Sequence, residues 1–115
     1  MVSDMSSNLC SREINWDKLD VVYAGTQKNV GPAGACITII KKELIGKFKR
    51  PDTPAICDWD LFLHSPTKMH NTPATWSVYV SGLNIEHMLR QGGVRYYDDL
   101  AKERSKLLYD YIDNS

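Results

Sequence analysis

Lys28 has the setting that most invites chemistry. It lies in Gly25-Thr26-Gln27-Lys28-Asn29-Val30-Gly31-Pro32-Ala33-Gly34, directly after the apolar run Val21-Val22-Tyr23-Ala24. A lysine on a rigid loop at a strand end can be partly desolvated, and desolvation favours the neutral amine over the ammonium. A neutral amine is the nucleophile that Schiff-base formation with a carbonyl requires. The plainer reading is a solvated lysine in a loop whose glycines serve only for turning. A phosphate loop of the G-x-x-x-x-G-K-[ST] kind is excluded, because Lys28 precedes Gly31 and Pro32 follows that glycine. A G-x-G-x-x-G dinucleotide pattern is absent as well.

Two other places carry suitable groups. Asp4 opens the polar segment Asp4-Met5-Ser6-Ser7-Asn8. A carboxylate at the end of a strand beside the lysine loop can hold a cationic ring nitrogen, or it can simply cap a turn. Asn71-Thr72 precedes a predicted helix. An amide and a hydroxyl at a helix N-terminus suit a phosphate, because free N–H groups and the helix dipole favour anions there. Ordinary N-capping by Thr72 is the alternative.

The elements that must position these groups follow from pattern. Val21–Ala24 and Ala35–Ile40 are short, β-branched runs that predict buried strands. Glycines at 25, 31 and 34 with Pro32 make the stretch between them a loop projecting from the sheet. Lys41 to Gly46 predicts a short helix, and 47 to 54 an exposed loop. Ala55 to Leu63 is ambiguous, with Ile56-Cys57-Asp58-Trp59 as a possible strand. Asn71-Thr72-Pro73 predicts a helix start with Pro73 in the first turn, the helix running to about Gln91. Its stripe of Trp76, Val80, Leu83 and His87, widened by Val78, Ile85 and Leu89, predicts burial against more than one neighbour. A second helix, from Val94 to Asp113, carries Tyr97, Leu100, Ala101, Leu107, Leu108 and Tyr111 at helical spacing, interrupted by Arg104.

Composition bounds the function classes. The chain has 115 residues, 43% of them hydrophobic and 24% charged, which suits a folded globular chain rather than a disordered one. Fourteen basic residues balance fourteen acidic ones, so no basic excess points to nucleic acid or to an anionic membrane. No apolar run reaches the roughly 18 residues of a membrane span. The first ten residues lack the regions of a signal peptide, which predicts a cytoplasmic protein. Cys10, Cys36 and Cys57 show no C-x-x-C spacing, predicting three small buried hydrophobes in a reducing compartment. His64, His70 and His87 are scattered, so no metal site is expected. The length suits one small domain, yet the chain closes within a predicted helix.

Taken together and in order, these pieces resemble the phosphoserine aminotransferases. The resemblance rests on Asp4-Met5-Ser6-Ser7-Asn8, on Ser11-Arg12-Glu13-Ile14, and on Tyr23-Ala24-Gly25-Thr26-Gln27-Lys28-Asn29-Val30-Gly31-Pro32-Ala33-Gly34. Asn71-Thr72-Pro73-Ala74-Thr75 and Leu107-Leu108-Tyr109-Asp110-Tyr111-Ile112-Asp113-Asn114-Ser115 extend it across the chain. It implies the large domain of a fold type I transferase dependent on pyridoxal 5'-phosphate, α/β in class, with a few-stranded mixed sheet and long helices. The implied reaction exchanges an amino group between 3-phosphohydroxypyruvate and glutamate in serine biosynthesis.

Carried over by position, Lys28 would be the Schiff-base lysine and proton shuttle, and Asp4 would pair with the pyridine nitrogen. Gln27 would contact the cofactor phosphate. Asn71 and Thr72 would reach the phosphate held by the other subunit of a homodimer. Two departures, Ala74-Thr75-Trp76 after Asn71-Thr72-Pro73 and His70 where tyrosine is common, touch none of these contacts. Family members are longer, so the resemblance implies an internal slice of the large domain. Residues 94–115 would lead toward a C-terminal small domain that bears the substrate-carboxylate arginine. The alternative is a non-catalytic fragment or interaction subunit that keeps only part of the cofactor site.

Overall fold

The structure, a computed structural model, describes residues 1–115. Its centre is a three-stranded mixed sheet in the order β1-β2-β3, formed by β1 (Val2–Asp4), β2 (Val21–Gly25) and β3 (Cys36–Ile40). β1 lies parallel to β2 with Asp4 opposite Tyr23, and β3 runs antiparallel to β2 with Cys36 opposite Gly25. The two strands predicted from β-branched runs are therefore present, but only β2 is buried as expected; β3, an edge strand, holds no buried residue. β1 is an addition that its polar sequence conceals. It needs only three residues, because β2 supplies the partner.

β2 is the central strand, and its Val22 and Ala24 are buried. Leu9 and Val30 close over Ala24 from the two loops that leave the strand ends, with Met5, Cys10, Ile14 and Ile37 packed around them. The core thus sits directly beneath the lysine loop. Cys36 and Cys57 are exposed and Cys10 is half-buried, so the expectation of three buried thiols fails. Cys36 lies at the start of the edge strand β3 and Cys57 in a single 3-10 turn (Ala55–Cys57).

Beyond the sheet the predicted short helix is only a 3-10 turn, Lys42–Leu44. The ambiguous stretch is not a strand. It forms α1 (Trp59–His64), started by Asp58, whose side chain accepts from the Asp60 amide at 3.1 Å. Asp58 is buried and paired with Lys49, which holds its carboxyl below the usual range and anchors the exposed loop to α1.

α2 spans Thr75–Arg90 and α3 spans Gly93–Asp113, separated by Gly92 at φ 117. The turn that lets the chain reverse between them needs that left-handed residue, which glycine adopts without a Cβ penalty. The helix start differs from expectation. Ala74 is the N-cap and makes no side-chain capping bond, so neither Thr72 as cap nor Pro73 in the first turn is realised.

The buried face of α2 also differs. Ser77, Ser81 and Met88 are buried, whereas Trp76 is 72% exposed, Leu83 49% and Leu89 69%. The small polar face turns inward because the partner is the backbone of the lysine loop, and only a small side chain permits that approach. Much of the apolar stripes is left facing outward, Leu83 and Leu89 on α2 and Leu107, Leu108 and Tyr111 on α3, while Val80, Tyr97 and Leu100 are half-buried. The radius of gyration is 17.7 Å, against about 13 Å for a compact chain of this length. The chain is elongated, and its helices carry apolar surface that these 115 residues do not cover.

The packing of α2 gives a paired prediction. A Cβ at Gly31 would lie 2.2 Å from Ser81 Oγ and 2.9 Å from Ser81 Cα, and that Cα cannot rotate away. Gly31→Ala is expected to cost about 1–3 kcal/mol in urea unfolding. Gly82→Ala, where nothing lies within 4 Å of the added Cβ, is expected to be neutral or to stabilise α2 by up to about 1 kcal/mol.

Candidate functional site at the strand ends

β1 and β2 are parallel, so Asp4 and Gly25 end at the same edge of the sheet. Ligands of open α/β sheets bind outside such carboxyl ends. The chain leaves β1 in a tight turn, in which the amides of Asn8 and Leu9 both return to Met5 O. This turn presents Asp4, Ser6 and Ser7 to the loop that leaves β2.

Three polar links join the turn to the loop. Ser6 donates to Asp4 Oδ1 twice, from its amide at 2.9 Å and from its hydroxyl at 2.7 Å. Ser6 Oγ in turn accepts from the Gly25 amide at 3.1 Å. Lys28 Nζ donates to Ser7 Oγ at 2.8 Å. The Asn29 side chain donates to the carbonyls of Ser7 and Leu9 at 2.9 and 3.0 Å. Asp4 and Lys28 are thus brought to one place, each on a neighbouring serine.

The Ser6 amide, then the Ser6 hydroxyl, hold the Asp4 carboxyl below the ordinary carboxylate value, and the nearby Lys28 ammonium adds a smaller pull. Lys28 is exposed, so these residues do not supply the desolvation expected of the loop. Gln27 is also exposed, and its amide folds back over Gly25, where a Cβ would lie 2.4 Å from Oε1.

The loop keeps its shape through Thr26, which is buried. Its carbonyl accepts from the amides of Val30 and Gly31, at 3.1 and 2.8 Å, closing the loop behind Lys28. Its hydroxyl bonds to Pro32 O, and its amide donates to Ala35 O at 3.2 Å. From above, α2 holds the descending side. Ser77 Oγ donates to Ala33 O at 2.7 Å, and Asn84 Nδ2 donates to Asn29 O and Val30 O at 3.2 and 2.9 Å. Ser81 Oγ is buried against Gly31 with no partner, the cost of bringing helix and loop so close.

On the α3 side of the loop lies an open cleft of about 270 Å³, lined by Lys28, Asn29, Asn84, Tyr97 and Arg104 among others. Asn71 and Thr72 stand apart from this cluster. Both are exposed in the segment before α2, and Asn71 Nδ2 bonds only to Thr72 O at 3.2 Å.

Sequence reasoning named Asp4, Gln27 and Lys28. It missed Ser6, Ser7, Thr26, Asn29, Ser77 and Asn84, which fix where those groups point. Ser6 and Ser7 carry the one readable signal, since hydroxyls two and three positions after a strand-end carboxylate suit a turn that folds back on it.

A mixed sheet with a lysine loop and a hydroxyl-held carboxylate at its parallel strand ends defines an α/β protein that gathers an amine and an ionised carboxylate at one end of the sheet. The model of the family described as aminotransferase class V matches residues 1–115, and the chain belongs to that family. It is 44% identical over its whole length to the phosphoserine aminotransferase of Janthinobacterium sp. (strain Marseille) and covers 31% of that protein. It is 40% identical to the chloroplastic phosphoserine aminotransferase 2 of Arabidopsis thaliana, covering 27% of it.

Among solved structures, the pyridoxal-phosphate-bound phosphoserine aminotransferase of Trichomonas vaginalis superposes with a TM-score of 0.89 at 34% identity. That match covers 99% of this chain and 31% of the other. The enzyme of Bacillus circulans subsp. alkalophilus superposes with a TM-score of 0.88 at 28% identity, over 97% of this chain and 30% of its own. The chain therefore spans about a third of the relatives it matches.

The Asp4 turn predicts a pH effect with a fixed sign. The folded carboxyl titrates below its ordinary value of 3.8, so its contribution to stability is present above that pH. The contribution is lost as pH falls through the folded value. Ser6→Ala removes one of the two bonds, and ¹³C NMR of the Asp4 carboxyl is expected to show its midpoint move up toward 3.8. An unmoved midpoint would mean that the Ser6 hydroxyl does not hold the carboxylate.

Proposed function

We propose that these residues form part of the site of a pyridoxal 5'-phosphate-dependent transaminase acting between 3-phosphohydroxypyruvate and glutamate, giving phosphoserine and 2-oxoglutarate. The observation that carries this reading is the meeting of Lys28 and Asp4 at the carboxyl ends of two parallel strands, each tied to a serine of one turn. Family membership over all 115 residues and the resemblance of the lysine loop support it.

The donor set suits that cofactor. A lysine amine is the group that combines with a carbonyl, and a carboxylate kept ionised is the partner a protonated pyridine nitrogen needs. Both Ser6 bonds fall on Asp4 Oδ1, which leaves Oδ2 as an acceptor. When bound, the cofactor supplies the electron sink that makes the substrate α-carbon acidic.

The remaining steps belong to the chain. With the cofactor bound, Asp4 would hold a proton at its ring nitrogen, and Ser6 keeps the carboxylate ionised and aimed. Lys28 Nζ, held by Ser7, would take a proton from the substrate α-carbon as general base and return one as general acid. Gln27 would be the amide that holds the cofactor phosphate.

Asn71 and Thr72, exposed and without a bond to the Lys28 loop, contribute to the phosphate site of the other subunit in a homodimer. Residues 1–115 then form the middle of a large domain, with 94–115 leading toward a small domain. The outward apolar faces of α2 and α3 support that placement, because they need neighbours. No helix is long and apolar enough to cross a membrane. A cytoplasmic setting belongs to the proposed reading and does not rest on that observation.

The test is covalent trapping. The chain is mixed with pyridoxal 5'-phosphate, reduced with borohydride, digested and mapped by mass spectrometry. An adduct concentrated on Lys28 is the expected result, and even labelling of all lysines would defeat the reading. A coupled transamination assay then measures turnover. No rate above a Lys28→Ala control would leave the non-catalytic interaction subunit, which the exposed Trp76 and Leu107 also suit.

A further inference from the structure

We infer that Asn29 is a positioning residue for Lys28, setting the lysine against Asp4 through its side-chain amide, with Asn84 as its support on α2. This inference rests on the transaminase reading and names a residue that reading does not use.

Lys28 and Asp4 leave different strands, and loop and turn must be held together for the two groups to keep a fixed relation. Asn29 follows Lys28 directly, and its Nδ2 donates to the carbonyls of both Ser7 and Leu9. Those carbonyls belong to the turn whose Ser6 and Ser7 hold Asp4 and Lys28. One amide group therefore spans the gap, spending both of its N–H donors on the Asp4 turn. No other side chain of the lysine loop bonds to main-chain atoms of that turn.

The backbone beside Lys28 is fixed from the opposite side. Asn84 Nδ2 donates to Asn29 O and Val30 O, so the peptide units that follow the lysine are gripped from α2 as well. The loop is pinned between turn and helix, and Lys28 is the exposed residue beside the pin. Groups misplaced by about an ångström lose large factors in rate, so such a pin acts on chemistry while touching no reactant.

The experiment compares labelling at Lys28 with labelling at the other lysines. Wild-type chain and variants are treated with pyridoxal 5'-phosphate and borohydride, and the Lys28 adduct is divided by the mean adduct elsewhere. Asn29→Ala is expected to lower this ratio about tenfold, the size set by losing two hydrogen bonds. Asn29→Asp, which keeps the size but cannot donate, is expected to fall as far. Leu19→Ala, a core change remote from the loop, is expected to lower thermal stability and leave the ratio unchanged, so destabilisation alone does not mimic the effect.

Should Asn29→Ala fail to fold by circular dichroism, Asn84→Ala decides, with an expected fall of about threefold. An unchanged ratio in folded Asn29→Ala, or in Asn84→Ala where the first variant does not fold, would overturn the inference and leave the transaminase reading standing. A wild-type ratio near one would overturn that reading and this inference with it.

Discussion

Gly31 lies against Ser81 so closely that a single added carbon would collide with the helix backbone, and the placing of Lys28 depends on this contact. Helix and loop can approach only because one side presents a glycine and the other a serine. Ser77 and Asn84 then reach main-chain carbonyls on either side of the contact. A larger residue at either position would lift α2 away, and both hydrogen bonds would lengthen together. Each such bond contributes only about 0.5–1.5 kcal/mol net. The close approach matters more, because it excludes water from carbonyls that would otherwise move freely.

The polar links on the other side of the loop complete the arrangement. Thr26 closes the loop from within, and the Ser6–Ser7 turn joins it to β1. The carboxylate and the amine are both exposed, so their relation is not set by burial. It is set by short backbone segments that share hydrogen bonds. The same economy explains the small core. Leu9, Ala24 and Val30 fill only the space below the loop, and the apolar faces of α2 and α3 lie outside it.

Much of this was legible in the residues. β-branched runs marked β2 and β3, glycines marked the loop, and Gly92-Gly93 marked the break between the long helices. The order of the motifs pointed to the family that the whole-chain match establishes. The failures share a physical cause. Hydrophobic periodicity assumes that the buried face of a helix is its apolar face, but α2 buries serines because its partner is a loop backbone. β1 is short and polar, and it exists through pairing rather than propensity. The Thr72-Pro73 start looked sufficient, yet α2 begins two residues after Pro73, capped by Ala74 with no side-chain bond. Asn29 and Asn84 could not be found from spacing, since their partners lie 20 and 54 residues away.

The lysine loop, closed by Thr26 and gripped by Ser77 and Asn84, moves as one body with the central strand and α2. Amide hydrogen exchange tests it most directly, read at Val30 and Gly31, whose N–H groups donate to Thr26 O. These two amides are expected to be protected to the same degree as the amides of β2 and the middle of α2, and to lose that protection in the same opening event. Exchange of Val30 and Gly31 at the rate of a free peptide, with α2 still protected, would contradict it.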